Sequence, residues 1–184
     1  MKRFGWICVG LFCAVGGAIL PGMQPPVATA SVAAIASSSQ STVTQNQVRR
    51  ILDQTLAAAN RRDTEGIARF LAPKATIVMT IRSFGGTETL RLNREQYLRY
   101  NQQGMRLVQD YNARMTNLKI QVAANRKSAI ATYTLTEQTT VAFNNQSIPM
   151  VASSNTQATF ELVGGKVLVT AIAATTTVTP QQTI

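Results

Sequence analysis

Apolar positions recur along the chain with two different periods, and the change of period orders its elements. Val48, Ile51, Leu52, Thr55, Leu56 and Ala59 fall at i, i+3, i+4, i+7, i+8 and i+11. That spacing predicts one apolar stripe on a helix of about four turns. Thr44 and Gln47 ahead of it have the spacing of a capping box, a hydroxyl at the N-cap and an amide three residues on. Asn60, Arg61 and Arg62 interrupt the stripe, and Asp63 can cap a second, shorter helix through the N–H of Glu65 or Gly66. Ile67, Phe70 and Leu71 would form its buried face, and Pro73 would stop it, because the residue before a proline is pushed out of the helical region.

A β-branched strand is predicted over residues 76–82, bounded by Gly85 and Gly86, with a hairpin partner over 87–92. Asn93 and Gln96 cap a third helix, which turns Tyr97, Tyr100 or Asn101, Gly104, Met105 and Val108 toward one side. Beyond Asp110 the period is two. Strands are expected over 113–122, 128–143, 148–163 and 166–178. Turns fall at Asn125-Arg126-Lys127, Asn144-Asn145-Gln146 and Gly164-Gly165, residues that suit the positive φ of tight hairpins. The order is helix–helix–strand–strand–helix, then a four-strand antiparallel meander.

The N-terminus follows neither period. Met1-Lys2-Arg3 is positive, the chain is apolar from Phe4 to Leu20, Pro21-Gly22 breaks it, and Ala28-Thr29-Ala30 precedes Ser31. Residues 1–30 therefore read as a secretory signal peptide. The rival, an uncleaved anchor, has a run at the lower edge of spanning length and interrupted by glycines. Residues 31–43, rich in Ala, Ser, Thr and Gln, read as a flexible mature N-terminus. One domain over 44–180 is left, in an exported protein, periplasmic or secreted.

Export changes the available chemistry. Cys8, Cys13 and Trp6 all lie in the leader, and the chain has no histidine. Zinc and iron–sulfur sites, thiol nucleophiles and the Ser-His-Asp triad lose their ligands or bases, so no metal and no cofactor is expected. Removal of Lys2 and Arg3 leaves 16 basic against 8 acidic residues, a mature net charge of +8. Such a chain can adhere weakly to anionic surfaces. Its basic residues are scattered, and no aromatic-interleaved basic motif points to a specific nucleic acid.

The stretch NRRDTEGIARFLAPKATI, between the first helix and the first strand, resembles the helix-to-strand transition of the nuclear transport factor 2-like (NTF2-like, SnoaL-like) superfamily. With the order of elements, the resemblance covers about residues 43–178. It implies an α+β fold in which N-terminal helices pack on a curved, mainly antiparallel sheet and enclose a conical pocket. The superfamily includes isomerases, dehydratases, epoxide hydrolases, transport factors and scaffolds, so the fold alone does not set the function. Members often dimerise through the sheet, which makes a homodimer an expectation. Where some relatives have an acidic residue after the proline, this chain has Lys74, and an Asp–His pair cannot be formed.

Alternation on the strands nominates pocket residues. The face Ala129, Ala131, Tyr133, Leu135 is the more apolar one, which turns Tyr133 inward and makes Glu137 a candidate to follow it. On the next strand the inward set is Met150, Ala152, Ser154, Thr156, Ala158, Phe160 and Leu162. Met79, Tyr97, Tyr100 and Met105 would close the pocket from the strand and helix above. Each has a plainer reading as core, and Glu137, near a strand end, reads as well as a solvated carboxylate. Asp53 falls at the edge of the first stripe, and Thr175-Thr176-Thr177 reads as a strand with a hydrated face.

Three functions are compatible with these residues. The first is non-enzymatic binding of a small apolar or amphipathic ligand in the cone, or of a protein partner on the sheet. The second is an isomerase- or dehydratase-like enzyme, with Glu137 as base and Tyr133 or Tyr97 as donor, on the pattern of ketosteroid isomerase. The third is an envelope-associated basic protein held by anionic polymers.

Overall fold

The computed structural model describes residues 42–143 and 146–181. The segment read as a signal peptide, most of the segment read as a flexible mature N-terminus, and the turn residues Asn144 and Asn145 lie outside the described residues. Helices α1 (Gln45–Asn60) and α2 (Thr64–Ala68) are followed by strands β1 (Leu71–Ser83) and β2 (Gly86–Asn93). Helix α3 (Arg94–Leu107) and strands β3 (Val108–Val122), β4 (Ser128–Phe143), β5 (Gln146–Val163) and β6 (Lys166–Pro180) complete the chain. The six strands form one sheet in the order β2-β1-β6-β5-β4-β3. Every neighbouring pair is antiparallel except β1 with β6, which is parallel. This is the α+β architecture expected, with the helices on one face of the sheet.

Local chemistry explains the helix starts. Thr44 and Gln47 form a reciprocal capping box on α1, and Asn93 and Gln96 form another on α3. Asp63 caps α2 by accepting from the Gly66 N–H at 2.7 Å. Five residues are too few to hold a helix unaided, so α2 depends on this cap and on packing against α1. The packing leaves no room at Gly66, where a Cβ would stand 2.8 Å from Asp63 Cγ and 2.9 Å from Ala58 Cβ.

The predicted stop of α2 is corrected. The helix ends at Ala68, two residues before Phe70, and Leu71 and Pro73 belong to β1. Pro73 disturbs the sheet, not the helix. A proline cannot donate to a ladder, and between Leu71 and Thr76 the β1–β6 register shifts: Leu71 pairs with Val169 but Thr76 with Ala171. The residues looped out by this shift include Ala72 and Ala75, both buried.

Strand β3 is the edge of the sheet on its side, and the residues that break the α1 stripe cover it. Asn60 donates to the Ala113 carbonyl at 3.0 Å and accepts from the Ala113 N–H at 2.6 Å. Arg62, in the left-handed region at φ 57°, donates to the carbonyls of Val108 and Gln109. Satisfying edge groups from a helix end is one way to stop a sheet from pairing with another chain. At the far hairpin Gly164 and Gly165 both take positive φ, 57° and 75°, as a two-residue turn between twisted strands requires.

The core lies between the helices and one face of the sheet, where Val48, Ile51, Leu52, Ile67, Ile77, Met79, Tyr97, Ala131, Phe160 and Ile172 are buried together. Smaller apolar groups continue it toward the other end, Ile81, Ala152 and Val178 in one and Val108 and Val141 in another. The hydrated threonine face is corrected at one position. Thr175 and Thr177 are exposed, but Thr176 is buried and shares a 2.8 Å hydrogen bond with Ser154.

Candidate functional site

Among the described residues, one carboxylate lies wholly inside the core. Glu137 has no measurable exposure, which corrects its reading as a solvated strand-end carboxylate. It stands well inside β4, paired with Ala113 on β3 and Ala152 on β5. Both flanking side chains are methyl groups, so the carboxylate rises from a floor of small residues. The alternation that buries Ala131 and Leu135 carries Glu137 and Thr139 inward as well.

Three tyrosines surround this carboxylate. Tyr111, on β3, donates its phenol O–H to Glu137 Oε1. Tyr133 precedes Glu137 by four residues on the same face of β4 and is half-buried. Tyr97 reaches in from α3 with 1 % of its surface exposed. Asn101, one helical turn further, is also buried and donates to the Tyr97 carbonyl at 3.1 Å.

The phenols are held in their neutral form. Burial pushes Tyr97 far above the usual phenol range, a rise that the Asn101 side chain partly offsets and that electrostatic interaction with Tyr133 and Glu137 reinforces. For Tyr111 burial again leads, followed by the negative charge of Glu137 and by the hydrogen bond to it. Tyr133 rises through burial and then through Glu137. The cluster therefore presents a carboxylate acceptor among O–H donors that stay protonated across ordinary pH.

Two further polar atoms in the interior, Asn101 Oδ1 and Thr156 Oγ1, are enclosed without a hydrogen-bond partner. Leaving such a group unsatisfied costs about 1–3 kcal/mol. Thr156 pairs in register with Tyr133 and Ala174, and Ala174 with Met79, so it lies on the floor beside the tyrosines.

The other nominated residues divide by position. Met79 is buried in the same cross-strand row as Tyr133 and Thr156. Met150, opposite Thr139, is half-buried next to Ile81, Ala152 and Val178, where Tyr100 and Leu90 also pack. Phe160 is fully buried but eight residues along β5 from the Glu137 partner Ala152, roughly 26 Å away at the strand rise. It packs the opposite end of the core. Met105 is half-buried and lines an external groove with Arg62, Leu98 and Gln102, between α2 and α3.

Tyr111 was missed by the sequence pattern. It has the right parity, since its partner Thr139 lies two residues from Glu137 on the inward face. The strand was expected to begin at residue 113, but α3 passes into β3 at Val108 with no intervening turn. Without a turn residue to mark the junction, Tyr111 looked like linker.

No family model matches the chain, and no curated protein matches it. Solved structures do. A hexachlorocyclohexane dehydrochlorinase of LinA type 3 from Novosphingobium barchaimii aligns with a TM-score of 0.57 at 17% identity, over 76% of this chain and 91% of its own. A Caulobacter vibrioides protein with a cystatin-like fold gives 0.55 at 16% identity, over 71% and 87%. An NTF2-like protein of unknown function from Pseudomonas putida gives 0.51 at 15% identity, over 71% and 84%. The chain has the NTF2-like α+β cone fold, as the resemblance implied.

Proposed function

We propose that the chain is an exported binding protein that takes a small apolar or amphipathic ligand into the cone, with the ligand's polar end at the Glu137 cluster. The observation that carries this reading is the complete burial of Glu137 beneath the Tyr111 phenol. Taking a carboxyl group out of water is costly whether it is charged or neutral, and groups held under such strain concentrate at functional sites. The unpartnered Asn101 Oδ1 and Thr156 Oγ1 add hydrogen-bonding capacity that a ligand can meet. Tyr100, Leu90 and Met150 supply an apolar wall beside the cluster, the usual mixture of a small-molecule site. Glu137 is closed to solvent in this arrangement, so binding displaces part of that wall.

A second reading is favoured by the neutral phenols. A carboxylate beside O–H donors that cannot ionise is the pairing that proton abstraction next to a carbonyl uses, the carboxylate as base and the phenols on the developing oxyanion. The dehydrochlorinase among the structural neighbours is named for an elimination. Here Glu137 is the base and Tyr97, Tyr111 or Tyr133 the donor.

Thermal-shift and native mass spectrometry against a panel of long-chain alcohols, fatty acids and terpenoid alcohols test the first reading. A ligand present at 100 times its Kd stabilises the fold by about 2.7 kcal/mol. Met150→Asp should abolish that shift, and Glu137→Gln should retain most of it. Panel members that fail to bind the wild type, or bind Met150→Asp equally well, refute a site in the cone. Turnover of a bound member that disappears in Glu137→Gln while its affinity persists selects the enzyme.

A further inference from the structure

The face of the sheet turned away from the helices carries a feature independent of the cone. An open cleft of about 490 Å³ crosses from β1 to β3. Thr80, Thr132, Thr134, Asn155, Gln157 and Thr175 line it with hydroxyls and amides, Lys119 lies at one end, and no carboxylate lines it. Several of these groups are already ordered against one another. Asn117 Nδ2 donates to Thr134 Oγ1 at 3.3 Å, and the Thr134 hydroxyl donates to Asn155 Oδ1 at 3.4 Å. Asn117 is placed there by the β-bulge between Thr116 and Lys119, where it takes a left-handed φ of 57°. Bulges often re-aim side chains at binding sites.

Cations flank this neutral centre on both sides. Paired residues share a face, so Arg91, opposite Val78 of the cleft wall, lies on the outer face at one edge, and Arg82 follows Thr80 by two residues. Arg114, opposite Thr136, joins Lys119 on β3 at the other edge. All four are exposed. Five strand spacings separate β2 from β3, about 24 Å. The carboxylates that share the face, Asp110 and Glu161, pair with opposite ends of β4, at Thr140 and Ser128.

We propose that this face binds an acidic polysaccharide, with sugar hydroxyls on the threonine and amide floor and anionic groups at the basic edges. Threonine hydroxyls and asparagine and glutamine amides both donate and accept, which matches a polyhydroxylated chain. A strand-spanning cleft with charge at its two ends suits a polymer longer than a single sugar. Single-stranded nucleic acid is a poorer fit, because stacking platforms are its usual support and Tyr133, the one aromatic residue lining the cleft, belongs to the inward face of β4. A second copy is a poorer fit too, since two basic-edged faces repel when stacked.

Binding of the full chain to immobilised alginate at physiological salt, with dextran as neutral control, tests the proposal. The expected result is retention on alginate and none on dextran. Arg91→Glu with Lys119→Glu should weaken binding at least tenfold. Thr134→Val with Asn155→Leu should weaken it severalfold at unchanged charge, which nonspecific attraction would not do. Arg49→Glu with Arg50→Glu, on the exposed side of α1, makes the same charge change on the opposite layer and should leave binding within twofold. Circular dichroism on each variant confirms that it is folded. Equal loss from the α1 variant, no loss from the neutral variant, equal retention on dextran, or displacement by single-stranded DNA as effective as by free alginate overturns the proposal. So does a solution dimer that dissociates in the Arg91→Glu, Lys119→Glu variant.

Discussion

Raising the pH above 10 should unfold this protein steeply, and the structure sets the slope. Three of the chain's four tyrosines, Tyr97, Tyr111 and Tyr133, have phenols pushed far above their ordinary value, first by burial and then by the Glu137 charge. In the unfolded chain they ionise near pH 10. A group with a raised folded-state pKa contributes stability that is fully present below its unfolded pKa and is lost as pH climbs toward the folded one. Each such group costs about 1.4 kcal/mol per pH unit beyond pH 10, so three together cost about 4 kcal/mol per unit. The loss is about 4 kcal/mol at pH 11 and about 8 kcal/mol at pH 12. Against the 5–15 kcal/mol typical of a domain, the fold should fail between about pH 11 and pH 14. Tyrosinate absorbance and far-ultraviolet circular dichroism, followed together, check it. These three phenols should ionise in one cooperative step that coincides with loss of structure. Tyr111→Phe and Tyr133→Phe should each reduce the slope by about a third, which separates the phenols from lysine and arginine titration. Gradual ionisation of all four tyrosines near pH 10, with the dichroism unchanged, would refute the burial of the cluster.

Packing and hydrogen bonding give three more expectations. Gly66→Ala places a methyl group against Asp63 and Ala58 and should cost about 1–3 kcal/mol as overpacking, read as a lower urea midpoint. Thr176→Val leaves the buried Ser154 hydroxyl without the partner it has at 2.8 Å and should cost about 1–3 kcal/mol. The Ser154→Ala, Thr176→Val double variant should recover most of that loss, and strict additivity in a double-mutant cycle would contradict the pairing. Asn60→Ala removes both hydrogen bonds to the Ala113 backbone and should lower stability by about 1–3 kcal/mol, with faster amide exchange at Ala113 than at Ala131 in the middle of the sheet.

Much of the fold was legible because its signals are local. Both capping boxes, the α1 stripe and the Gly164-Gly165 hairpin each depend on residues within a few positions of one another. The errors lie where the deciding contact is distant. Pro73 looked like a helix stop because its neighbours in sequence are helical, yet its effect is on pairing with β6, almost a hundred residues later. Thr176 looked hydrated beside Thr175 and Thr177, but strand alternation sends it inward, where Ser154 from another strand satisfies it. Met105 has helical spacing with Tyr97 and Asn101, but drifts around α3 far enough to face the α2 groove.

The site was half legible for a related reason. Period-two alternation tells which side chains share a face, and it brought Tyr133 and Glu137 together before any tertiary contact was known. It does not tell where a strand starts, so the hydrogen-bonding partner Tyr111 was lost at a helix-to-strand junction without a turn. Nor does alternation give depth. A carboxylate on the inward face of a strand can end in a wet mouth or a dry interior, and only the helix laid across it decides. In this chain α3 packs on β1 and β2 and turns the buried Tyr97 and Asn101 into the interior, and Glu137 on β4 is the sole carboxylate of the described core. The absence of histidine makes this consequential for the cone. Glu137 is the one carboxylate buried among the described residues, and the three neighbouring phenols are pushed, first by burial, to stay protonated.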